Sequence, residues 1–289
     1  MATKQKPVTK NASDLESGTG DYVELMWDYL HDHEDLHNFT TCLISFIVTI
    51  IVTRTSKRIV RAALPQSAQE HAIDFIASFQ ECVYTWEACV LLSFYGDVAF
   101  GLALLAAELF DWWTQSEGEC NPCGKFALFV NKEQGLGSTL VAMALQMLAG
   151  PVSYWFSMGL WSFQLCPTHA DRWSKFACAS DLTVDIPLGT VIEMACAIAS
   201  IWLALNALPF LGKLEDPIKV TLNVLLVMIC LHFTGGYFNP ANASAQGFGC
   251  PGNTKLEHII VYWLGPLMGT VLAVVLTNHF KKTEKKKEE

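Results

Sequence analysis

Asn121-Pro122-Cys123 recurs as Asn239-Pro240-Ala241, displaced by 118 residues (239 − 121). Two other landmarks keep that order and nearly that offset. Asp74, an acid opening an apolar run, recurs as Glu193 at 119 (193 − 74), and Gly150-Pro151 recurs as Gly265-Pro266 at 115 (265 − 150). Together they describe two copies of one three-span unit, about 65–165 and about 184–280. Three is odd, so the copies stand in opposite orientations, an inverted repeat.

The Asn-Pro pairs have a local cause. Asn is a good helix N-cap, and Pro suits the first helical position, where no backbone donor is lost. Each pair therefore starts a short helix, and neither following segment is long and apolar enough to cross a bilayer. Half-helices entering from opposite faces bring their N-termini together at the midplane. Each end carries roughly half a positive charge, and Asn121 and Asn239 each add an amide donor. A passing water is expected to turn its oxygen toward both, and cations to be repelled.

Composition places this repeat in a membrane. Apolar residues make up 52% of the 289 and charged ones 16%, against roughly 25% charged in soluble chains. No Lys or Arg occurs in 62–124, 133–171, 176–212, 220–254 or 256–280. Each gap holds one helix of about 20 residues, and the first holds two. A soluble core would need Lys and Arg on the exposed face of every helix. Six spans are expected near 67–90, 97–114, 136–160, 184–207, 216–235 and 257–279, and the fold class is all-α polytopic membrane protein. Phe39–Val52, 14 residues and apolar, is either an additional span or an interfacial segment. Charge favours spanning, because an acidic tail precedes it and Arg54, Lys57, Arg58 and Arg61 follow it.

With the last span leaving toward the cytosol, thirteen basic residues fall on the cytosolic side, Lys125, Lys132, Lys213 and Lys219 among them, and six on the other. That bias supports a cytosolic C-terminus. Residues 1–37 form an acidic polar tail that supplies most of the net charge of −9 and offers nucleic acid nothing to bind. The first twenty residues are polar, so no cleavable signal peptide is expected. Residues 38–64 hold the extra apolar segment with its basic connector, 65–280 the channel domain, and 281–289 a basic cytosolic tail.

These residues resemble the aquaporin (major intrinsic protein) family, whose hallmark is the paired Asn-Pro-Ala motif. Phe233-Thr234-Gly235, Val261-Tyr262-Trp263-Leu264-Gly265-Pro266 and Phe100-Gly101-Leu102 are also aquaporin-like. The first motif departs by ending in Cys123. It is similar to the unorthodox superaquaporin branch, aquaporin-11-like, as are Cys250 nine residues beyond the second motif, Trp161-Ser162 and Phe176-Ala177-Cys178. The resemblance implies six spans plus two half-helices, one pore per protomer and a homotetramer. It also implies that Asp74 and Glu193 are buried acids accepting hydrogen bonds from the half-helix loops. An unpaired acid at mid-membrane costs about 2.5–3.5 kcal/mol or more, so both need partners or a proton. Glu81 and Glu87 have no counterpart in that pattern.

The resemblance further implies a four-residue constriction. Counted from the second motif, three members are Val227, Gly236 and Asn242. The fourth is Phe100, or Gly101 if one extra residue before the first motif shifts the count. Most aquaporins carry Arg where Asn242 stands, and that Arg narrows the pore and adds a fixed positive charge. The opening here is expected to be wider and less charged, admitting water and leaving room for glycerol and hydrogen peroxide. The expected partners are membrane lipid and these small neutral solutes. The competing reading is a non-conducting or redox-responsive membrane scaffold that keeps the fold.

Many of the ten cysteines lie in apolar spans, where Cys is a common small packer, so they do not form a small disulfide scaffold. Cys166, Cys178 and Cys250 fall on the luminal side and can pair if that compartment is oxidising. Cys120 and Cys123 form a C-x-x-C at a helix N-terminus without two further ligands nearby, so neither metal nor cofactor is expected. Lys286 and Lys287 stand third and fourth from the end, resembling a dilysine retrieval signal of the endoplasmic reticulum, a receptor-read address. Asn11-Ala12-Ser13 and Asn38-Phe39-Thr40 are glycosylation sequons, usable only if the tail is luminal.

Overall fold

The computed structural model describes residues 34–175 and 177–288, with side chains from 36 to 282. Asn11 and Phe176 lie outside them, as do the side chains of Lys286 and Lys287. The elements are helices α1 (Glu34–Ala63), α2 (Gln66–Tyr95), α3 (Asp97–Trp113), α4 (Pro122–Val130), α5 (Leu136–Trp161), α6 (Pro167–Lys175), α7 (Ile186–Leu205), α8 (Glu215–Thr234) and α9 (Pro240–Gly247). A last long helix follows as α10 (Lys255–Ile259), a π-turn (Ile260–Leu264) and α11 (Gly265–Glu288). The π-turn sits directly before Gly265-Pro266, where proline's missing N–H breaks the regular ladder.

Packing repeats with the sequence. In the first unit α2 packs on α3 and α5; in the second α7 packs on α8 and α11. The short helices cross over, α4 resting on α11 and α9 on α5, and α3 meets α8 between the units. Small residues set the closest approaches, as membrane bundles require. A Cβ on Gly101 would stand 2.7 Å from the sulfur of Met228 on α8, and one on Gly150 would stand 3.0 Å from Ala245 on α9.

The bundle turns apolar side chains outward, as lipid requires, and buries polar side chains beside its apolar core. Val98, Trp155 and Ile229 lie exposed, whereas Gln146, Ser153, Ser157 and Thr270 are buried. Five helical stretches among the described residues are long and apolar enough to cross a membrane: Leu36–Ala63, Leu136–Trp161, Ile186–Leu205, Pro209–Thr234 and Lys255–Lys282. Two of the six expected spans are not among them. Helix α2 carries Glu70, Asp74, Glu81 and Glu87, and α3 has only 17 residues, among them Asp97, Glu108 and Asp111. Asp74 and Glu87 are buried in the bundle, Glu81, Glu108 and Asp111 are partly buried, and Glu70 and Asp97 are exposed.

Phe39–Val52 belongs to one 30-residue helix. His37, Thr41, Ser45, Thr49, Thr53 and Lys57 recur every four residues and are all buried, while Phe39, Leu43, Ile47 and Ile51 face outward. Each of Thr49 and Thr53 returns its hydroxyl proton to the preceding turn, at 2.7 and 2.9 Å, so these two hydroxyls are satisfied within their own helix. Asn38 is wholly buried on that stripe, which removes it as a glycan acceptor. The basic end of α1 docks rather than dangling. Arg54 donates to the Thr114 hydroxyl, Arg61 pairs with Glu117, and Lys57 donates to Ser116 Oγ at 3.0 Å and the Glu117 carbonyl at 2.6 Å.

Candidate functional site

Both Asn-Pro pairs start short helices. Asn121 takes the N-cap of α4, its Oδ1 accepting from Cys123 N–H at 2.9 Å, with Pro122 at the first helical position. Asn239 caps α9 in the same way, accepting from Ala241 N–H at 3.1 Å and Asn242 N–H at 3.2 Å, with Pro240 following. With each oxygen used by its own helix, each amide is left to donate across the midplane. Asn121 Nδ2 donates to the Phe238 carbonyl at 3.0 Å, and Asn239 Nδ2 to the Cys120 carbonyl at 3.4 Å. The two helix N-termini therefore face each other across these bonds.

The two acids hold the loops that lead into these helices, but unequally. Glu193 accepts from the Thr234 hydroxyl at 2.6 Å, Tyr237 N–H at 3.2 Å and Phe238 N–H at 2.6 Å. That loop needs fastening, because Gly235, Gly236 and Phe238 all have positive φ, at 82°, 63° and 33°. Gly236 has no substitute, since a Cβ there would fall 2.6 Å from the Val227 carbonyl oxygen. Asp74 takes one loop donor, Glu119 N–H at 2.8 Å, and turns its other oxygen to Lys125 at 2.8 Å. Lys125, which also meets Glu70 at 2.7 Å, is thus a buried counter-ion and not a loop charge.

A cavity of about 450 Å³ passes both caps. Asn121 and Asn239 line it, as do Phe100, Val227, Gly236 and Asn242 together. Gly101 does not; it faces Met228. Asn242 donates from Nδ2 to the Thr85 hydroxyl at 2.8 Å, and its Oδ1 is buried without a hydrogen-bond partner. No Lys or Arg is among the described residues of the wall, whereas Glu81, Glu108, Glu119 and Asp181 are. Burial raises the Asp181 carboxyl above its usual range, against the Tyr237 hydroxyl that donates to it at 2.6 Å.

Glu108, Glu119 and Asp181 were not singled out by sequence reasoning, and Glu81 had no role in it. A signal existed for Glu81. Counted from Asp74, positions 81, 85, 89 and 92 fall at helix spacing on one face of α2, and all four line the cavity. Glu87 points elsewhere, to Trp161 and His169. Cys120 lines the cavity, but Cys123 is fully buried against Ala127, Ile201, Ala273 and Val274. The C-x-x-C therefore does not present two thiols to one space. Of the luminal cysteines, Cys178 and Cys250 form a disulfide and Cys166 stays free.

Comparison with known proteins follows the same lines. Putative aquaporin-12A of Homo sapiens is 30% identical over 80% of this chain and 77% of its own length. The chain belongs to the aquaporin family. Aquaporin-11 of Milnesium tardigradum is 27% identical over 80% of this chain and 83% of its own, and aquaporin-11 of Homo sapiens 24% over 85% and 92%. These relatives are superaquaporins. The aquaglyceroporin from Plasmodium falciparum superposes with a TM-score of 0.54 over 71% of this chain and 93% of its own, at 14% identity. That likeness concerns the fold. No family model matches the chain. As an aquaporin the chain is an integral membrane channel protein and not an enzyme.

Proposed function

We propose that the chain is a passive pore for water and small neutral solutes, glycerol and hydrogen peroxide included. The observation that carries this reading is the cavity that passes both facing Asn caps with no basic side chain in its described wall. Two half-helix ends supply positive potential at the midplane, and the amides of Asn121 and Asn239 supply fixed donors. The carboxyl groups of Glu81, Glu108 and Glu119 in the same wall supply acceptors for solute hydroxyls. Donors and acceptors set in one largely apolar wall let a polyol replace part of its hydration shell.

Flux through the purified chain in liposomes tests the proposal. Water and glycerol permeability should exceed that of empty vesicles and run equally in both directions; equality with empty vesicles would leave the scaffold reading standing instead. Asn239→Ala should lower both permeabilities about tenfold, because it removes the midplane donor and uncaps α9 at a cost of about 1 kcal/mol. A variant that conducts like wild type would remove Asn239 from the pathway.

The reading extends to a homotetramer with one pore per protomer in the endoplasmic reticulum, to the domain division at 65–280, and to retrieval through Lys286 and Lys287. Replacing both lysines by Ala should move most of the protein toward the cell surface, measured by surface biotinylation. An unchanged distribution would end the dilysine proposal.

A further inference from the structure

Cys42 on α1, Glu87 on α2 and His169 on α6 converge at the end of the bundle where Tyr95 closes α2. Their ligand atoms all lie within 4.8 Å of one another, and all three residues are buried. His169 Nε2 stands 3.1 Å from Glu87 Oε2. In a tetrahedral zinc site with N and O ligands at about 2.0–2.1 Å, adjacent ligand atoms stand about 3.3 Å apart. The observed separation is therefore close to one edge of such a site. The other ring nitrogen, Nδ1, is buried without a hydrogen-bond partner, so the proposed ligand atom is Nε2, the nitrogen that already faces Glu87.

A fourth donor is adjacent. Cys166 lies three residues before His169, and its Sγ accepts the His169 backbone N–H at 3.4 Å; it stands outside the cluster of the three ligand atoms, so its side chain must turn inward to complete the set. Outer partners are in place too. Trp161 Nε1 donates to Glu87 Oε1 at 2.8 Å, fixing the carboxylate plane, and the Arg172 guanidinium lies 5.1 Å from the Trp161 ring. Such outer bonds orient ligands in metal sites.

We propose that Cys42, Glu87 and His169, with Cys166 as fourth donor, bind a zinc ion. The mixed sulfur, nitrogen and oxygen set suits this borderline-soft, redox-inert cation and not calcium or magnesium, which take oxygen alone. None of the four lines the pore cavity, so the ion is structural. It ties the additional helix α1 and the α6 loop to the channel body, and it is independent of what the pore conducts. Reading the sequence could not assemble it, because the ligands are dispersed over 42, 87, 166 and 169 and only Cys166-Pro167-Thr168-His169 has a metal-like spacing.

The full chain, expressed with zinc supplementation and purified in detergent without chelator, should carry about one zinc per protomer by elemental mass spectrometry. Phenanthroline should lower its Tm by about 5 °C or more, and added zinc should restore it. Cys42→Ser with His169→Gln should abolish the bound zinc and the chelator response together. Should that double variant fail to fold, zinc K-edge absorption on wild type decides: mixed sulfur and nitrogen coordination supports the site, and purely nitrogen and oxygen coordination overturns it. Monodisperse wild type without zinc, or a Cys42–Cys166 disulfide found by peptide mass spectrometry, overturns it as well.

Discussion

Asn242→Arg is expected to lower glycerol permeability in proteoliposomes about tenfold or more, a barrier of about 1.4 kcal/mol, while water permeability falls no more than about threefold. The fold should tolerate the change. Asn242 contributes its backbone N–H to the Asn239 cap, and any side chain keeps that bond. Its Nδ2 bond to Thr85 is lost, but the Thr85 hydroxyl proton already goes to the Glu81 carbonyl at 3.0 Å. What changes is the wall. A longer side chain with five donors and a fixed charge enters a cavity wall to which Phe100, Val227 and Gly236 also contribute. Water needs little width, whereas a three-carbon polyol needs the space that Asn leaves. An unchanged glycerol-to-water ratio, or a wild type that passes neither, would show that Asn242 does not line the constriction.

The features legible in the sequence are those with a local cause. Asn121-Pro122 and Asn239-Pro240 announce helix caps wherever they occur, and their matched spacing announces the repeat. Asp74 and Glu193 were legible because an acid within an apolar run demands partners. Charge gaps located α5, α7 and α8 to within a few residues. Polarity misleads where a membrane protein turns its polar side inward. Helix α2, with its buried Asp74 and Glu87, is not apolar enough to read as a span, and α3, with 17 residues, is too short. Lys125 looks like a loop charge until Asp74 and Glu70 are seen around it. Asn38 is a sequon by spacing and buried by packing. Contacts between residues far apart in sequence, such as Glu87 with His169 or Cys178 with Cys250, leave no periodic trace, so the disulfide partner and the place of Glu108, Glu119 and Asp181 in the cavity wall became visible only in three dimensions.

Glu193→Ala carries the largest expected loss of stability. Three donors converge on that carboxyl group, the Thr234 hydroxyl and the N–H groups of Tyr237 and Phe238. The site is fully buried, so no water takes the acceptor's place. A buried donor left unpaired costs about 1–3 kcal/mol, and three sharing one acceptor cost about 3–5 kcal/mol together. The loss falls on the loop least able to bear it, since Gly235, Gly236 and Phe238 are held at positive φ. That loop carries Gly236 to the cavity wall and Asn239 to its cap, so its release should disorder that part of the wall and the second half-helix together. Thermal unfolding in detergent should show a Tm lower by roughly 10 °C for Glu193→Ala. Glu193→Gln keeps one carbonyl oxygen for two of the donors and sets an amide against the third, so it should fall between the two and retain partial flux. A Glu193→Ala variant that is monodisperse, unfolds with wild type and conducts equally would show that the carboxyl group does not hold the loop.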